Sequence, residues 1–282
     1  MKKIVWISSY PKSGNTFIRA MLSAFFYSKE GIFKQEYLKN ISEFPRDFFD
    51  FKTSNNFSNE VKEYRKIQKK ISSSDKKVVF LKTHSANLTI NKVFPTINKD
   101  FTLCSIYIVR DPRNVILSLK NHYNLDIKKS LSLLTNDKNF ISMNNKDSSK
   151  GYTLTLDWAS NYLSWKNQKN INTIFVKFED LVFEQKKAFI YILNKLKKFI
   201  NFEIDQKKIE NVIKTTNFKY LRQLEEKEGF IENKIMGISD NKNFFFNKGP
   251  EQNFNKDLDP GILEEINKKY KNLLLQLNYL KE

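Results

Sequence analysis

Lys12, Ser13 and Thr16 stand in the stretch Tyr10-Pro11-Lys12-Ser13-Gly14-Asn15-Thr16-Phe17, which joins a short apolar run to a longer apolar stretch of helical spacing. A glycine-containing turn at a helix start exposes backbone N–H groups and the positive end of the helix dipole, so this stretch reads as an anion cradle with Lys12, Ser13 and Thr16 as added donors. It is not a Walker A loop, because Lys12 precedes Gly14 and Asn15 follows it, whereas that loop ends in Gly-Lys-Ser/Thr. A second constellation is Arg110-Asp111-Pro112-Arg113-Asn114-Val115 with Ser118 beyond it. Asp111 suits an N-cap and Pro112 the first helical position, so a helix begins at once and Arg110 and Ser118 can face one phosphate. Arg113 and Lys120 read as solvated charges on that helix. The third is Lys82-Thr83-His84. A histidine at the end of a strand, opposite the cradle, is placed to act as a general base, and the neighbouring lysine keeps the ring neutral.

These groups need a scaffold that brings strand ends together. Lys3–Ser9, Lys77–Lys82, Leu103–Val109 and Thr173–Phe178 are short β-branched or apolar runs. Between and after them, Thr16–Tyr27, Glu60–Ile71, Arg113–Asn121, Leu154–Trp165 and Leu181–Phe199 show helical spacing. Alternating strands and helices predict an α/β fold, a single domain over residues 1–282 with a central, mostly parallel sheet flanked by helices. In such sheets ligands bind beyond the carboxyl ends of the strands, where all three constellations fall. Phe33–Asn59, Ser130–Lys150 and Gly229–Asp257 read as irregular; the last holds Phe244-Phe245-Phe246-Asn247-Lys248-Gly249-Pro250, which would pack down and present backbone amides.

The chain's 282 residues, 40% hydrophobic with 25 Phe, support a packed interior and exclude wholesale disorder. With 7 Gly and 6 Pro, no stretch reads as a flexible interdomain linker. Cys104 is the one cysteine and His84 and His122 the two histidines, too few for a structural zinc site or an internal disulfide, so a reducing, cytoplasmic setting is expected. The run Ile4–Ile7 is too short for a signal peptide or a membrane span. The net charge of +18 is nearly all lysine, evenly spread, and reflects a compositional bias as readily as a polyanion-binding surface. Cys104 reads as core, as do Trp158 and Trp165, seven apart on one helix face; His122 suits an acceptor-pocket wall or the surface equally. Glu179-Asp180 reads as a cap for a helix beginning near Leu181 rather than as metal ligands.

Together the motifs resemble those of the cytosolic-type sulfotransferases that use 3′-phosphoadenosine 5′-phosphosulfate (PAPS). Tyr10–Phe17 is similar to their phosphosulfate loop, Lys82–His84 to their Lys-Thr-His, and Arg110–Ser118 to their 3′-phosphate motif. Phe178-Glu179-Asp180-Leu181, Thr216-Asn217-Phe218 and Asn247-Lys248-Gly249 follow in the family's order. The resemblance implies a P-loop NTPase-like three-layer sandwich with donor-binding elements at 6–19, 82–84, 110–118, 216–218 and 247–249. It implies that Lys12 holds the bridging oxygen of the leaving phosphate while Ser13, Gly14, Asn15, Thr16 and Phe17 wrap the 5′-phosphosulfate. Lys82 would steady the sulfuryl group and His84 would take the acceptor's proton. Arg110, Ser118, Lys248 and Gly249 would grip the 3′-phosphate; Phe218 would stack on adenine and Thr216 bond its edge. No metal is implied.

Departures from the family's pattern are Asn15 for Thr, Phe17 for Trp, Asn247 for Arg, and Gln252-Asn253-Phe254 for Gly-Asp-Trp. The loss of the arginine at 247 removes one charged contact to the 3′-phosphate. The implied acceptor is a hydroxyl or amine of a small molecule or saccharide, held by loops at 33–59, 85–95 and 130–150. Nucleic acid is not an expected partner, and the oligomeric state is open, a homodimer included. Two other readings of the same residues are a P-loop small-molecule kinase and a noncatalytic binder of polyanions.

Overall fold

Four of the apolar runs become buried parallel strands. The computed structural model describes residues 2–48, 57–92, 94–139, 153–232 and 244–281. Its central sheet is built from β1 (Ile4–Ser9), β2 (Ser42–Glu43), β3 (Val79–Thr83), β6 (Thr102–Val109) and β7 (Thr173–Lys177), in the order β2-β3-β1-β6-β7, all parallel. A small antiparallel pair, β4 (Thr89–Ile90) with β5 (Phe94–Pro95), stands apart. Every residue of β1 is buried, as expected of a strand covered on both faces. Its side chains alternate: Val5 and Ile7 join a cluster with Ile18, Met21, Ile106 and Phe189, whereas Ile4 and Trp6 join one with Leu81, Tyr107, Ile116 and Trp158.

Two helical layers enclose the sheet. The first face is covered by α1 (Asn15–Tyr27), α7 (Gln185–Leu196), α8 (Gln206–Thr216) and α9 (Phe218–Glu228). The other is covered by α2 (Phe57–Ser72), α3 (Pro112–His122), α4 (Ile127–Thr135), α5 (Trp158–Lys166) and α11 (Pro260–Gln276). Short α6 (Phe178–Phe183) follows β7 directly, and short α10 (Phe254–Asp257) precedes α11. The result is the central parallel sheet flanked by helices that the alternation of runs predicts.

The structure corrects several expectations. The helix expected over Leu154–Trp165 starts at Trp158, because the Asp157 carboxylate accepts from the backbone N–H of Ala159 and Ser160 and caps it there. Leu181–Phe199 is two helices, broken where Glu184 leaves helical geometry (φ −125°, ψ 42°). Ser130–Thr135, expected to be irregular, is helical behind an Asp126 cap; the expected loop residues 49–56, 93, 140–150 and 233–243 lie outside the described residues. Arg113 is buried, not solvated: it ion-pairs with Asp111 at 2.6 Å and donates to the Tyr279 carbonyl. Glu179 lies inside α6 rather than capping a helix at Leu181; its carboxylate accepts from the Asp111 N–H at 3.1 Å and the Tyr279 hydroxyl at 2.8 Å. Cys104, Trp158 and Trp165 are core, as expected.

Candidate active site

The cradle follows β1 through two residues with left-handed backbone, Lys12 (φ 63°) and Gly14 (φ 97°). Gly14 is the N-cap of α1, so the amides of Asn15 and Thr16 at its first positions have no intrahelical acceptor and point out of the helix end. A Cβ on Gly14 would come within 2.3 Å of the Phe178 ring. Gly14→Ala is therefore expected to cost about 1–3 kcal/mol from its backbone alone, with the clash added, in urea unfolding. The Asn15 amide turns back to β1, donating to the Ile7 carbonyl at 3.0 Å and Ser9 Oγ at 3.2 Å, and so ties the loop to its strand. Phe17 is 3% exposed and packs edge-on to Phe178 in the core. Burial and the neighbouring Arg110 push the Lys12 ammonium down to about 7, while Glu232 acts in the opposite sense.

At the end of β3, beside β1, His84 Nδ1 lies 2.9 Å from the Ser9 carbonyl oxygen. A carbonyl only accepts, so Nδ1 carries the ring proton and Nε2 keeps its lone pair. Burial and then Lys82 push the ring's pKa down to about 4, so it is neutral at physiological pH. The Lys82 ammonium donates to Glu43 at 2.9 Å, and Arg46 meets the same carboxylate at 2.8 Å. Burial alone would raise the Glu43 carboxyl, but Lys82 and Arg46 outweigh it and hold the group down to about 2. Its folded-state pKa thus lies below the ordinary 4.5, so the network's stability is present above that value and is lost as pH falls toward 2. Denaturant melts across that window are expected to lose less stability in Glu43→Gln than in the wild type.

Arg110 directly follows β6 and is 5% exposed. Its guanidinium donates to the Lys12 carbonyl at 3.0 Å and to Gln252 Oε1 at 3.1 Å, and lies 4.3 Å from the Phe178 ring centre. The acceptors are neutral, and Nε has no partner among the described residues. α5 fastens these strand ends: Trp158 Nε1 donates to the Arg110 carbonyl at 3.1 Å, Asn161 Nδ2 to the His84 carbonyl at 3.0 Å, and Trp165 Nε1 to the Ser85 carbonyl at 3.1 Å. The start of the 85–95 stretch is consequently core, with Ser85, Ala86 and Asn87 buried.

Glu232 was not legible in the sequence. It is buried, accepts from the Thr16 hydroxyl at 2.7 Å and ion-pairs with Arg19. Burial alone would raise this carboxyl; Arg19 and Lys82 hold it well below the usual range. The Thr16 hydroxyl, expected at the anion, is thus engaged by a carboxylate. No local signal links residues 16 and 232, which meet only through the fold. His122 packs edge-on to Phe245 at 5.8 Å, and Lys12 Nζ sits 4.2 Å from the centre of that same ring. The shared Phe245 ring thus links His122 to the cradle, and burial, then Lys12 and Lys82, push the His122 pKa down to about 3.

The family model for the sulfotransferase domain matches residues 2–278. The chain belongs to the sulfotransferase family. A mouse sulfotransferase, SULT7A1, whose structure holds PAP, is similar to it over 97% of this chain and 84% of the other at 16% identity, TM-score 0.57. Retinol dehydratase with androsterone and inactive cofactor PAP is similar over 96% of this chain and 80% of the other at 16% identity, TM-score 0.62. At that identity the likeness concerns the fold. A comparison with curated protein sequences gives no match.

In this sulfotransferase the later motifs divide. Phe218 and Gly249 meet: a Cβ on Gly249, whose φ is +49°, would fall 2.1 Å from the Phe218 ring. Lys248 is exposed and ion-paired to Asp257 at 3.0 Å. Ser118 is half-buried on α3, the helix that Arg110 precedes. Thr216 is fully buried; its hydroxyl, expected at the adenine edge, donates to the Val212 carbonyl and accepts from Gln185. Gln252, where the family has glycine, bridges Arg110 and the Asn114 carbonyl. No group of three or more His, Cys, Asp or Glu among the described residues is arranged to hold a metal ion.

Proposed function

We propose that this sulfotransferase takes its sulfuryl group from PAPS and passes it to a hydroxyl or amine of a small-molecule or saccharide acceptor, with His84 as general base. The observation that carries the reading is the His84–Ser9 contact at the ends of the paired strands β3 and β1, which puts the ring proton on Nδ1 and leaves the Nε2 lone pair to act beside the cradle, while burial and Lys82 keep the ring neutral. The residues also fit an anionic nucleotide. Ser13 Oγ and Arg110 Nε are buried donors without a partner among the described residues, a costly arrangement that an anion would relieve. The PAP in two fold relatives agrees with this donor.

The donor supplies a sulfur–oxygen bond whose breaking leaves a phosphate. His84 Nε2 takes the acceptor's proton as the acceptor atom bonds to sulfur. Lys12 and the first amides of α1 offset the charge that collects on the departing phosphate oxygen, and Lys82, held by Glu43, faces the transferring group. Arg110, Ser118, Lys248 and Gly249 hold the 3′-phosphate, and Phe218 lies under the base. Asn15 and Phe17 serve the loop from behind, through β1 and the core. His122 lines the acceptor side, together with residues drawn from 33–59, 85–95 and 130–150. A cytoplasmic setting is part of the proposal. Among the described residues no helix is long and apolar enough to cross a membrane.

Thermal stabilisation by PAP, compared with ADP and with ATP plus magnesium, tests the donor. A selective PAP shift is expected, roughly 2.7 kcal/mol at about 100 times the dissociation constant. A shift only with ATP and magnesium would favour phosphoryl transfer, and none with any nucleotide would favour polyanion binding.

A further inference from the structure

Phe244–Lys248 is neither helix nor strand, so no regular ladder satisfies its backbone N–H groups. One side chain does so twice. Glu225 of α9 is 4% exposed, and its carboxylate accepts from the N–H of Phe245 at 2.6 Å and of Phe246 at 2.9 Å. Arg222, one turn earlier, donates to the Phe246 carbonyl at 2.8 Å and lays its guanidinium 3.4 Å from the centre of the Phe244 ring. One turn before that, Phe218 presses on Gly249. A single face of α9 therefore grips the strap at successive points. The strap's outer residues reach the site: Phe245 lies under Lys12, and Lys248 and Gly249 follow within four residues.

We propose that Glu225, assisted by Arg222, is a positioning residue for the nucleotide, holding the strap so that Lys248 and Gly249 meet its 3′-phosphate. This rests on the PAPS reading above. Backbone groups outside regular structure take their place from whatever bonds them. Here one carboxylate bonds two of them, so its chemistry sets where the strap lies. Glutamine has the same shape, but the two N–H groups now meet separate oxygens, and in glutamine one of those positions is an NH2 that turns a donor toward its N–H.

The test compares PAP with adenosine 5′-monophosphate, which lacks the 3′-phosphate, by calorimetry on the wild type, Glu225→Gln and Arg222→Gln. The wild type is expected to prefer PAP. In Glu225→Gln that preference is expected to fall about tenfold, the scale of a lost hydrogen bond to a charged group. Arg222→Gln should lower it in the same direction by less. An unchanged preference in both variants, or equal weakening of the two nucleotides, overturns the proposal, because general loosening would not single out the 3′-phosphate. If Glu225→Gln fails to fold, the partly exposed Arg222 decides on the same criterion. A wild type without preference for PAP overturns the donor reading itself, a failure seen before any variant is compared.

Discussion

His84→Asn is expected to lower kcat by about 10²–10⁴, the usual contribution of a general base, while PAP binding stays within about twofold. Asparagine can still donate to the Ser9 carbonyl, the bond that fixes the ring at 2.9 Å, but its amide is too weakly basic to take a proton. The substitution thus separates position from chemistry. Burial and Lys82 hold the ring's pKa near 4. The free enzyme's base is therefore ready above that value, and kcat/KM should fall only as pH drops through it, well below the limb of an ordinary histidine. Steady-state rates from pH 3.5 to 8 with an accepted substrate, beside calorimetry with PAP, check both. Equal loss of rate and nucleotide affinity would remove His84 from the role of base.

Arg110→Ala should weaken PAP by about 10²-fold or more, since truncating a buried, hydrogen-bonded charge costs roughly 2–5 kcal/mol. Three consequences converge there. The site loses a cation whose present acceptors, the Lys12 carbonyl and Gln252, are neutral and whose Nε is unpaired. The Lys12 backbone, already at φ 63°, loses the donor that holds its carbonyl. The Phe178 ring, which also seals Gly14, loses the guanidinium against it. Arg110→Lys should recover only part of the affinity, because a compact ammonium lacks the rigid planar fork that meets the Lys12 carbonyl, Gln252 and a phosphate in fixed directions. Calorimetry with PAP reads the result; full recovery by lysine would mean that charge alone matters there.

What could be read from the sequence was local. Ser9, His84 and Arg110 each stand at or just past the end of an apolar run, and parallel sheets bring such ends together, so the placement of the cradle, His84 and Arg110 at one edge of the sheet was legible without coordinates. The Asp111-Pro112 start of α3 was legible for the same reason, as a cap and its first helical residue. Glu43, Glu225 and Glu232 were not. Each is a carboxylate whose meaning lies in a partner 20 or more residues away, and its own neighbourhood resembles any solvated stretch. Arg113 was misread because its exposure is decided by Tyr279, at the far end of the chain. The break between α6 and α7 turns on one backbone conformation at Glu184, with no proline or glycine to mark it.

The two ends of the proposed nucleotide site hang on different kinds of support. The phosphosulfate end is carried by β1, β3 and β6, neighbours in the middle of the sheet, whose amides are expected to exchange with solvent only on global unfolding. The 3′-phosphate end is carried by a strap whose amides at Phe245 and Phe246 are held by a single side chain. Opening there costs a few contacts rather than the fold. If the site binds as proposed, the spent nucleotide is expected to come away from its 3′ end first, leaving the strands undisturbed for the next turnover.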